Sequence, residues 1–496
     1  MSPGLVFSVI AGYFVVLLSI SYFTSRGANS QTFFTANKQS PWYLVAFGMI
    51  GATLSGVTFI SVPGEVGSSQ FSYFQVVLGY VPGYAFIALV LMPLYYRLKL
   101  VSIYGYLDQR FGFFSYKTGA FFFLLSRLIG ASLRLFLVAG VLQIAFFDRF
   151  DLPFWVTVAV TILLIWLYTF RGGIKTIVWT DTLQTTFMLT SVVVSIQLIG
   201  QELNLTLEGM IVAIRSSDMS QVFFWDWQSG TNFFKQFFAG AFTAIVMTGL
   251  DQDMMQKNLT IKKLSDAQKN MKWFTVILVI ANILFLSLGA LLYLYARAES
   301  IELPERTDSL FPMLAINHFD VYAGIIFLLG IIAAAYSSAD SALTALTTSF
   351  CVDFLGLGKD DDTTRAEAKE RLDNATRMRV HVMFSVLLFV VILIFNAIND
   401  QSVVYAVFKI AGYTYGPLLG LYGFGLYTNL RVKDRLVPWV CVIAPVLCYI
   451  LDSNSAEWFN GFEFGFFILI VNGLVTALGL LLIRDRSAEA LTSRDY

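Results

Sequence analysis

Long runs of apolar residues, separated by short polar segments, dominate this chain and predict helices that cross a membrane. A spanning helix needs about 20 mostly apolar residues to cross a hydrocarbon core of roughly 30 Å. By this criterion we expect thirteen spans in one integral membrane domain, residues 1–496, with 201–235 and 355–379 as surface connections. The spans lie at 4–24, 43–67, 72–96, 118–147, 154–170, 179–200, 236–255, 273–296, 321–354, 380–398, 403–427, 436–451 and 463–483.

The first apolar run, 4–24, is interpreted as a spanning helix and not as a signal peptide. It has no basic segment before it and no small-residue cleavage site after it. Composition agrees with a membrane protein, since 57% of the residues are apolar and 13% are charged, with a mean hydropathy of +0.70. A soluble protein carries roughly a quarter charged residues.

Charge and metal-binding residues narrow the function. The formal net charge is zero, so nothing indicates a nucleic-acid partner. Three cysteines lie in or beside apolar runs and indicate packing, and the two histidines lie near segment ends. We therefore expect no zinc or haem site and no nucleophile–base pair, and the protein is predicted not to be an enzyme.

The distribution of Lys and Arg predicts the orientation. Connections on the side of the first loop, together with the tail, carry 25 basic residues, whereas the opposite side carries 5. Basic residues are retained on the cytoplasmic side. We expect a multi-pass protein of the cell (inner) membrane, embedded in the lipid bilayer, with the N-terminus outside and the C-terminus in the cytoplasm. Lys257 is counted with the cytoplasmic loop residues.

Six of the charged side chains within the predicted spans are interpreted as interior residues and not as span ends. The bases are Arg127, Arg134 and Lys409, and the acids are Glu65, Asp181 and Asp340. Charges inside a membrane protein face a cavity or one another, and they usually mark a functional site.

Two of the predicted spans look interrupted. The stretch 48–64 reads GMIGATLSGVTFISVPG and includes a Pro-Gly pair, and 239–250 reads AGAFTAIVMTGL. Paired broken helices in corresponding halves indicate inverted repeats with a binding site near the midplane. Glycines that only permit close helix packing are the alternative for each stretch alone.

A polar stripe occurs in the span 321–354. The stretch 333–346 reads AAAYSSADSALTAL, and at 100° per residue Ser337, Asp340, Ser341, Thr344 and Thr348 share one helix face, with Ser338 beside them. Hydroxyl, carbonyl and carboxylate oxygens suit an alkali cation. Hydrogen bonding between helices by small hydroxyl side chains is the alternative.

Four segments resemble the sodium:solute symporter family, which includes carriers of glucose, proline, sialic acid and iodide. They are AAAYSSADSALTALTTSFCVDF at 333–354, FRGGIKTIVWTDTLQ at 170–184, LKLVSIYGYLDQRFG at 98–112 and DQDMMQKNL at 251–259. The resemblance implies an all-α protein with a LeuT-type core of two five-helix inverted repeats. The repeats are expected at 43–200 and 236–427, with one additional helix at 4–24 and two at 436–483.

The resemblance also implies the ion sites. The family's main sodium site corresponds to Gly51, Leu54, Ala334, Ser337 and Ser338. A second sodium in some members corresponds to Asp181, Ser337 and Ser341, and Asp340 replaces a serine of those members. A second carboxylate beside Asp181 admits a tighter second sodium, a shared proton or neutralisation of an arginine. One or two sodium ions are therefore expected, with proton coupling as an alternative.

Candidate solute-binding residues follow from the same comparison. Thr53, Ser55, Thr58 and Gln75 fall near solute-contacting positions of the family, and Lys409 replaces a glutamine of the sugar carriers. Sialic acid carriers use an arginine that corresponds to Arg127 or Arg134. Lys409 is a candidate for binding an anionic group of the solute, and its alternative role is an ion pair with Glu65 or another internal acid. Residues that bind glucose in the sugar carriers have no counterpart here, so we favour an anionic solute such as a sugar acid or a sialic acid.

The expected function is inward transport of a small solute driven by sodium. Sodium is expected to stabilise the outward-open state and to order the first broken helix, after which the helix bundle rocks. Alternatives are a symporter of a neutral sugar, polyol or amino acid, a proton-coupled carrier, a solute sensor and a sodium channel. No ring-forming filter sequence supports a channel, and no G-x-x-x-x-G-K-[ST] segment supports an ATP-driven pump. Oligomeric state cannot be inferred from the sequence.

Overall fold

A computed structural model describes residues 3–24, 40–100, 102–357, 366–398 and 402–485, with the side chains of 168–175 and 366–373 left out. The described chain is helical throughout and contains no strand beyond one isolated bridge between Val432 and Arg484. The predicted all-α class is confirmed.

Sixteen helices build the membrane domain as far as it is described. They are α1 Pro3–Thr24, α2 Trp42–Thr53, α3 Gly56–Ser69, α4 Tyr73–Arg97, α5 Phe113–Ala145, α6 Phe154–Leu167, α7 Thr176–Glu202, α8 Phe233–Gly249, α9 Gln252–Leu259, α10 Leu264–Ala298, α11 Val321–Phe354, α12 Ala366–Ile398, α13 Val403–Thr414, α14 Gly416–Tyr427, α15 Val437–Ser453 and α16 Ile468–Leu482. Shorter helices cover Gly105–Arg110, Leu207–Ser216, Leu310–Met313, Leu314–His318 and Ser455–Trp458. We call the membrane face where α1 begins the Pro3 side and the face where it ends the Thr24 side.

Each of the thirteen predicted spans falls on one of these helices or on a pair of them. Among the described residues, nine helices are long and apolar enough to cross a membrane, and two bent pairs qualify when each is taken as one span. The pairs are α2–α3, bent by 54°, and α8–α9, bent by 63°. The predicted span 403–427 is divided into α13 and α14 at Tyr415.

The two halves of the helical stretch Phe154–Glu202 run in opposite directions, although helix is assigned without interruption. Thr157 bonds to Gln143, near the end of α5 on the Pro3 side. Ser191 bonds to the Ile326 carbonyl, near the start of α11 on the same side. A straight helix would separate Thr157 and Ser191 by about 50 Å. The chain therefore reverses between α6 and α7, as the two predicted spans require.

The breaks differ in detail from those that the sequence suggested. The first lies at Leu54 and Ser55, whereas Pro63 lies inside helix α3. The second lies at Leu250 and Asp251, after a π-helical turn, Ile245–Gly249. Gly240 does not unwind the chain there, because α8 is helical at this position.

Gly240 instead allows α8 to approach α4 closely. A Cβ at Gly240 would lie 2.1 Å from the Val76 carbonyl oxygen, and one at Gly79 would lie 2.0 Å from the Phe237 carbonyl oxygen. Only glycine fits at such a contact, so close packing is the role of Gly240.

Helix α11 forms the centre of the bundle. Every residue from Gly330 to Ser349 is buried, so the polar stripe faces protein on all sides. The helix packs against α2, α3, α5 and α7. Asp340 and the neighbouring hydroxyls are therefore held inside the protein and not against lipid.

Candidate functional site

The break between α2 and α3 places polar backbone beside the serine stripe. At Leu54 the backbone leaves helical geometry, with ψ at 77°, and the Ser55 amide bonds to the Thr53 carbonyl. The Gly51 carbonyl therefore loses the donor that an uninterrupted helix would supply from Ser55. A Cβ at Gly51 would lie 3.3 Å from the Ser337 hydroxyl, so α2 meets α11 at this point.

The serines at this junction have different partners. The Ser337 hydroxyl donates to Asp181 Oδ1 at 2.6 Å, which leaves its lone pairs available to a cation. The Ser338 hydroxyl is buried and has no hydrogen-bond partner among the described residues. An unsatisfied buried hydroxyl destabilises a protein by about 1–3 kcal/mol. The orphaned Ser338 oxygen, next to an unwound backbone, fits a sodium site made of the predicted residues.

The residues predicted for a second ion surround a lysine. Lys257 Nζ donates to Asp181 Oδ2 and to Ser341 Oγ, both at 2.8 Å. Lys257 is 1% exposed, and Asp181, Asp340 and Ser341 are not exposed at all. Counting Lys257 among the loop residues was therefore wrong. The 63° bend between α8 and α9 directs the helix that carries it back under α7 and α11.

Two further acids continue this network towards α5. Asp253 forms an ion pair with Arg127 and lies 3.9 Å from Lys257 Nζ. Asp251 lies 3.7 Å from Arg127 and accepts a hydrogen bond from the Tyr415 hydroxyl at 2.8 Å. The network ties α5, α7, α9, α11 and the α13–α14 junction together on the Thr24 side of the helix breaks.

A cavity of about 80 Å³ lies beside the first break. Thr53, Ser55 and Thr58, three of the predicted solute residues, line it. Both candidate arginines line it too, together with Tyr73, Tyr80, Tyr84, Thr243, Thr248, Val404 and Phe408. The structure therefore brings five of the seven predicted solute residues to one cavity.

Arg127 and Arg134 differ in their partners. Arg127 is 4% exposed and pairs with Asp251 and Asp253. Arg134 has no carboxylate within 4.0 Å among the described residues, and its side chain lines the cavity. Of the two arginines, Arg134 is therefore the one whose charge is not balanced by a carboxylate among the described residues.

The other two predicted solute residues, Gln75 and Lys409, lie outside this cavity. The Gln75 amide donates to the Thr231 carbonyl at 2.9 Å and to Gln236 Oε1 at 3.0 Å, and its oxygen accepts from the Phe224 amide. Gln75 therefore fastens the connection before α8 onto α4, and this structural role replaces the predicted contact with solute.

Lys409 lines a second, larger cavity of about 410 Å³ on the Pro3 side. Its ammonium nitrogen lies 3.4 Å from Asp452 Oδ2, and its side chain is 38% exposed. The alternative role for this residue was an ion pair with Glu65 or another internal acid, and the acid that it pairs with is Asp452. Glu65 instead bonds to Ser68 and Thr307. The two cavities share Tyr73 and Val404 in their linings, so they lie next to each other.

Four members of the site were missed as functional candidates: Asp251, Asp253, Lys257 and Tyr415. The segment DQDMMQKNL was noted only as a family pattern, and its three charges were assigned to a span end and a loop. The high density of charge directly after an apolar stretch with a glycine was a usable signal. It fits a helix that turns back into the protein.

Comparisons with known proteins agree with this geometry. A profile of the sodium:solute symporter family matches residues 33–433. The chain is 24% identical to the sodium/sialic acid symporter NanT of Aliivibrio fischeri, over 92% of this chain and 89% of that protein. It is 22% identical to the sodium/sialic acid symporter SiaT of Proteus mirabilis, over 95% and 94% of the two chains.

The fold also has a solved counterpart. A sodium-coupled sialic acid symporter, solved in a substrate-bound outward-open state, superposes with a TM-score of 0.79 at 18% identity, over 96% of this chain and 97% of that one. This likeness supports the LeuT-type architecture that the family resemblance implied. With its matching profile, broken helices and polar stripe, the chain belongs to the sodium:solute symporter family, a family of multi-pass membrane transporters that couple solute movement to sodium.

Proposed function

We propose that this protein takes up a small organic anion together with sodium, and that Arg134 binds the anionic group. The observation that carries the proposal is that the two arginines differ in their ion-pair partners. Asp251 and Asp253 already neutralise Arg127, whereas Arg134 lines the cavity without a carboxylate partner among the described residues. A cation inside a membrane protein is stabilised by an opposite charge. A carboxylate in the cavity would supply that charge through two parallel hydrogen bonds.

The other residues that line the cavity indicate further chemical properties of the solute. Thr53, Ser55 and Thr58 on one wall and Thr243 and Thr248 on another offer hydroxyl groups, while three tyrosines of α4 supply flat surfaces. A carboxylate attached to a hydroxylated body fits such walls. Sialic acids and other sugar acids have this chemistry, and the relatives from Aliivibrio fischeri and Proteus mirabilis are sodium/sialic acid symporters by name.

Shared backbone supports coupling between ion and solute. Gly51 and Leu54 are proposed to hold sodium through their carbonyls, with Ala334, Ser337 and Ser338 on α11 as the other ligands. Thr53 and Ser55, which line the cavity, belong to the same unwound stretch. Sodium that orders this stretch also positions the solute hydroxyl contacts. By linkage, solute must then tighten sodium binding by the same factor.

The binding site is proposed to open to the two sides of the membrane in turn. The larger cavity lies next to the smaller one, towards the Pro3 side, whereas buried ion pairs and hydrogen bonds from Tyr415 to Asp181 fill the Thr24 side. The distribution of basic residues supports an extracellular Pro3 side and a cytoplasmic Thr24 side. This arrangement supports an outward-facing state, and inward release requires the buried ion pairs to separate.

Uptake into proteoliposomes tests the proposal. The purified full chain receives an inward sodium gradient, with an equal potassium gradient as control, and labelled sialic acid, gluconate, lactate, glucose, a polyol and proline. We expect sodium-dependent uptake of a carboxylate solute and loss of that uptake in Arg134→Met. Lys409→Met is the matched control, since it removes a positive charge outside the inner cavity, and it should retain uptake.

Other outcomes point elsewhere. Uptake of glucose, the polyol or proline that survives Arg134→Met would overturn the anionic assignment and support a neutral or zwitterionic solute. Uptake driven by a pH gradient in the absence of sodium would identify a proton-coupled carrier. Sodium currents far larger than any solute flux would indicate a channel.

A further inference from the structure

The ammonium group of Lys257 lies among oxygen atoms that could otherwise bind an ion. Its ammonium nitrogen lies 2.8 Å from a carboxylate oxygen of Asp181 and 2.8 Å from the hydroxyl oxygen of Ser341. Asp253 Oδ1 lies 3.9 Å away. The side chain is almost completely buried, so water does not supply its remaining contacts from outside. The ammonium group is thus a compact monovalent cation surrounded by oxygen atoms, as a bound sodium ion would be.

The geometry points to Lys257 as a tethered cation that takes the place of a second sodium ion, so that one sodium accompanies each solute. This inference rests on the proposed sodium-coupled function. Asp181, Ser337 and Ser341 are the residues expected to hold the second ion. Two of them are direct partners of the ammonium group, and the third, Ser337, bonds to the other oxygen of Asp181.

Charge accounts for why a sodium ion is excluded. A sodium ion between Asp181 and Ser341 would lie within a few ångströms of the ammonium group, and two like charges repel strongly in the protein interior. Lys257 is covalently attached, and in this state it does not reach bulk water, because the short helix α9 is buried from Gln252 to Asn258. The lysine therefore stays when solute and sodium leave.

Asp340 fits the same charge balance. It is fully buried on α11, directly before Ser341, and it interacts electrostatically with Lys257. Asp181 and Asp340 together carry two negative charges. Lys257 supplies one positive charge, and one sodium ion at the main site, next to Ser337, supplies the other.

The number of coupled ions is measurable at zero net flux. Proteoliposomes are held at zero membrane potential with a tenfold sodium gradient, and the solute gradient that stops net transport is determined. One coupled sodium supports a solute gradient of about tenfold and two support about 100-fold, because each ion contributes equal free energy. We expect about tenfold for the wild-type protein and for Lys257→Arg, and about 100-fold for Lys257→Gln, whose vacated site admits sodium.

A wild-type gradient near 100-fold would overturn the inference, as would Lys257→Gln that transports with a tenfold gradient. Where Lys257→Gln does not fold, the pair Asp181→Asn with Lys257→Gln restores neutrality and should keep the tenfold value. A 100-fold value in that double variant would count against the assigned site.

Sodium-dependent thermal unfolding of the purified full chain provides a readout that needs no transport. We expect Lys257→Gln to gain a second, separately saturating stabilisation by sodium that the wild-type protein and Lys257→Arg lack. Absence of that gain in a folded Lys257→Gln protein would refute the tethered cation. Absence of any sodium-driven uptake by the wild-type protein would instead refute the proposed function, and the unfolding curves would still decide the role of Lys257.

Discussion

The ammonium nitrogen of Lys257 lies 2.8 Å from the carboxylate of Asp181, across 76 positions of sequence, in a place where neither side chain meets solvent. This ion pair joins α9 to α7, and through Ser341 it also joins α11. It therefore connects the end of the second broken pair of helices to the helix that carries the polar stripe.

The effects of Lys257 and Asp181 on the stability of the protein should be coupled. We expect Lys257→Met to destabilise the protein by about 3–5 kcal/mol in sodium-free buffer, because Asp181 is left buried and unpaired. Asp181→Asn together with Lys257→Met should lose less than the sum of the single variants, since no uncompensated charge remains. Unfolding curves of the four proteins in potassium buffer give the coupling energy. Strictly additive losses would show that the pair does not interact.

Substitutions of the two arginines of α5 should have different effects, on stability for Arg127 and on solute binding for Arg134. Arg127→Met leaves Asp251 and Asp253 without their partner, so we expect a stability loss of about 3 kcal/mol or more. Arg134→Met should leave the melting temperature near the wild-type value and abolish stabilisation by the solute. Thermal unfolding with and without the solute identified in the uptake panel distinguishes these effects. A reversed pattern would assign the anion to Arg127.

Ser338 should reveal the main sodium site. Removing its orphaned hydroxyl with Ser338→Ala should leave sodium-free stability unchanged or slightly higher, because the substitution removes a buried oxygen that lacks a partner. Sodium affinity should fall about tenfold, which corresponds to roughly 1.4 kcal/mol from one lost ligand. Sodium titration of thermal stability measures both quantities.

Two other hydroxyl residues of α11 complete this test, Thr347 as a control and Ser337 in a double variant with Ser338. Thr347→Val removes a hydroxyl that bonds to the Leu343 carbonyl and to His381, away from the break, and it should not alter sodium affinity. The double variant Ser337→Ala with Ser338→Ala should lose more sodium response than either single variant. A wild-type sodium response in the double variant would place the ion elsewhere.

Gly51 should not tolerate a side chain. A Cβ there would lie 2.2 Å from the Thr185 hydroxyl oxygen, so Gly51→Ala must displace α2 from α7 and distort the break. We expect most sodium-driven uptake to be lost, with partial recovery when Thr185→Ala removes that oxygen. Gly12→Ala on α1 is the control, because nothing lies within 4 Å of its added carbon. Unchanged uptake in Gly51→Ala would mean that the contact between α2 and α7 does not position the site.

Lys409 should matter little for binding. Its partner Asp452 lies 3.4 Å away and its side chain is 38% exposed, and partly solvated pairs of this kind contribute up to about 1 kcal/mol. Lys409→Met should therefore change the half-saturating solute concentration less than about fivefold. A loss of uptake as large as that of Arg134→Met would show that the solute also requires the outer cavity.

The sequence alone determined the spans, the two broken helices and the polar stripe. These features depend on runs of residues that are close in the chain. An apolar run of sufficient length must become a helix in a membrane, since its backbone groups find no other partners there. The buried acids Asp181 and Asp340 were recognisable for the same reason, because each interrupts such a run.

Only the tertiary structure decided which charges pair. Arg127 and Arg134 are equivalent by sequence, two turns apart on one helix, and the difference between them arises because α9 brings Asp253 to Arg127 from 126 positions away. Lys257 was assigned to a loop because it follows the end of an apolar run. A bend of 63° instead places it in the protein interior. Hydropathy depends on neighbours in sequence, whereas the partner of a buried charge depends on where distant helices cross.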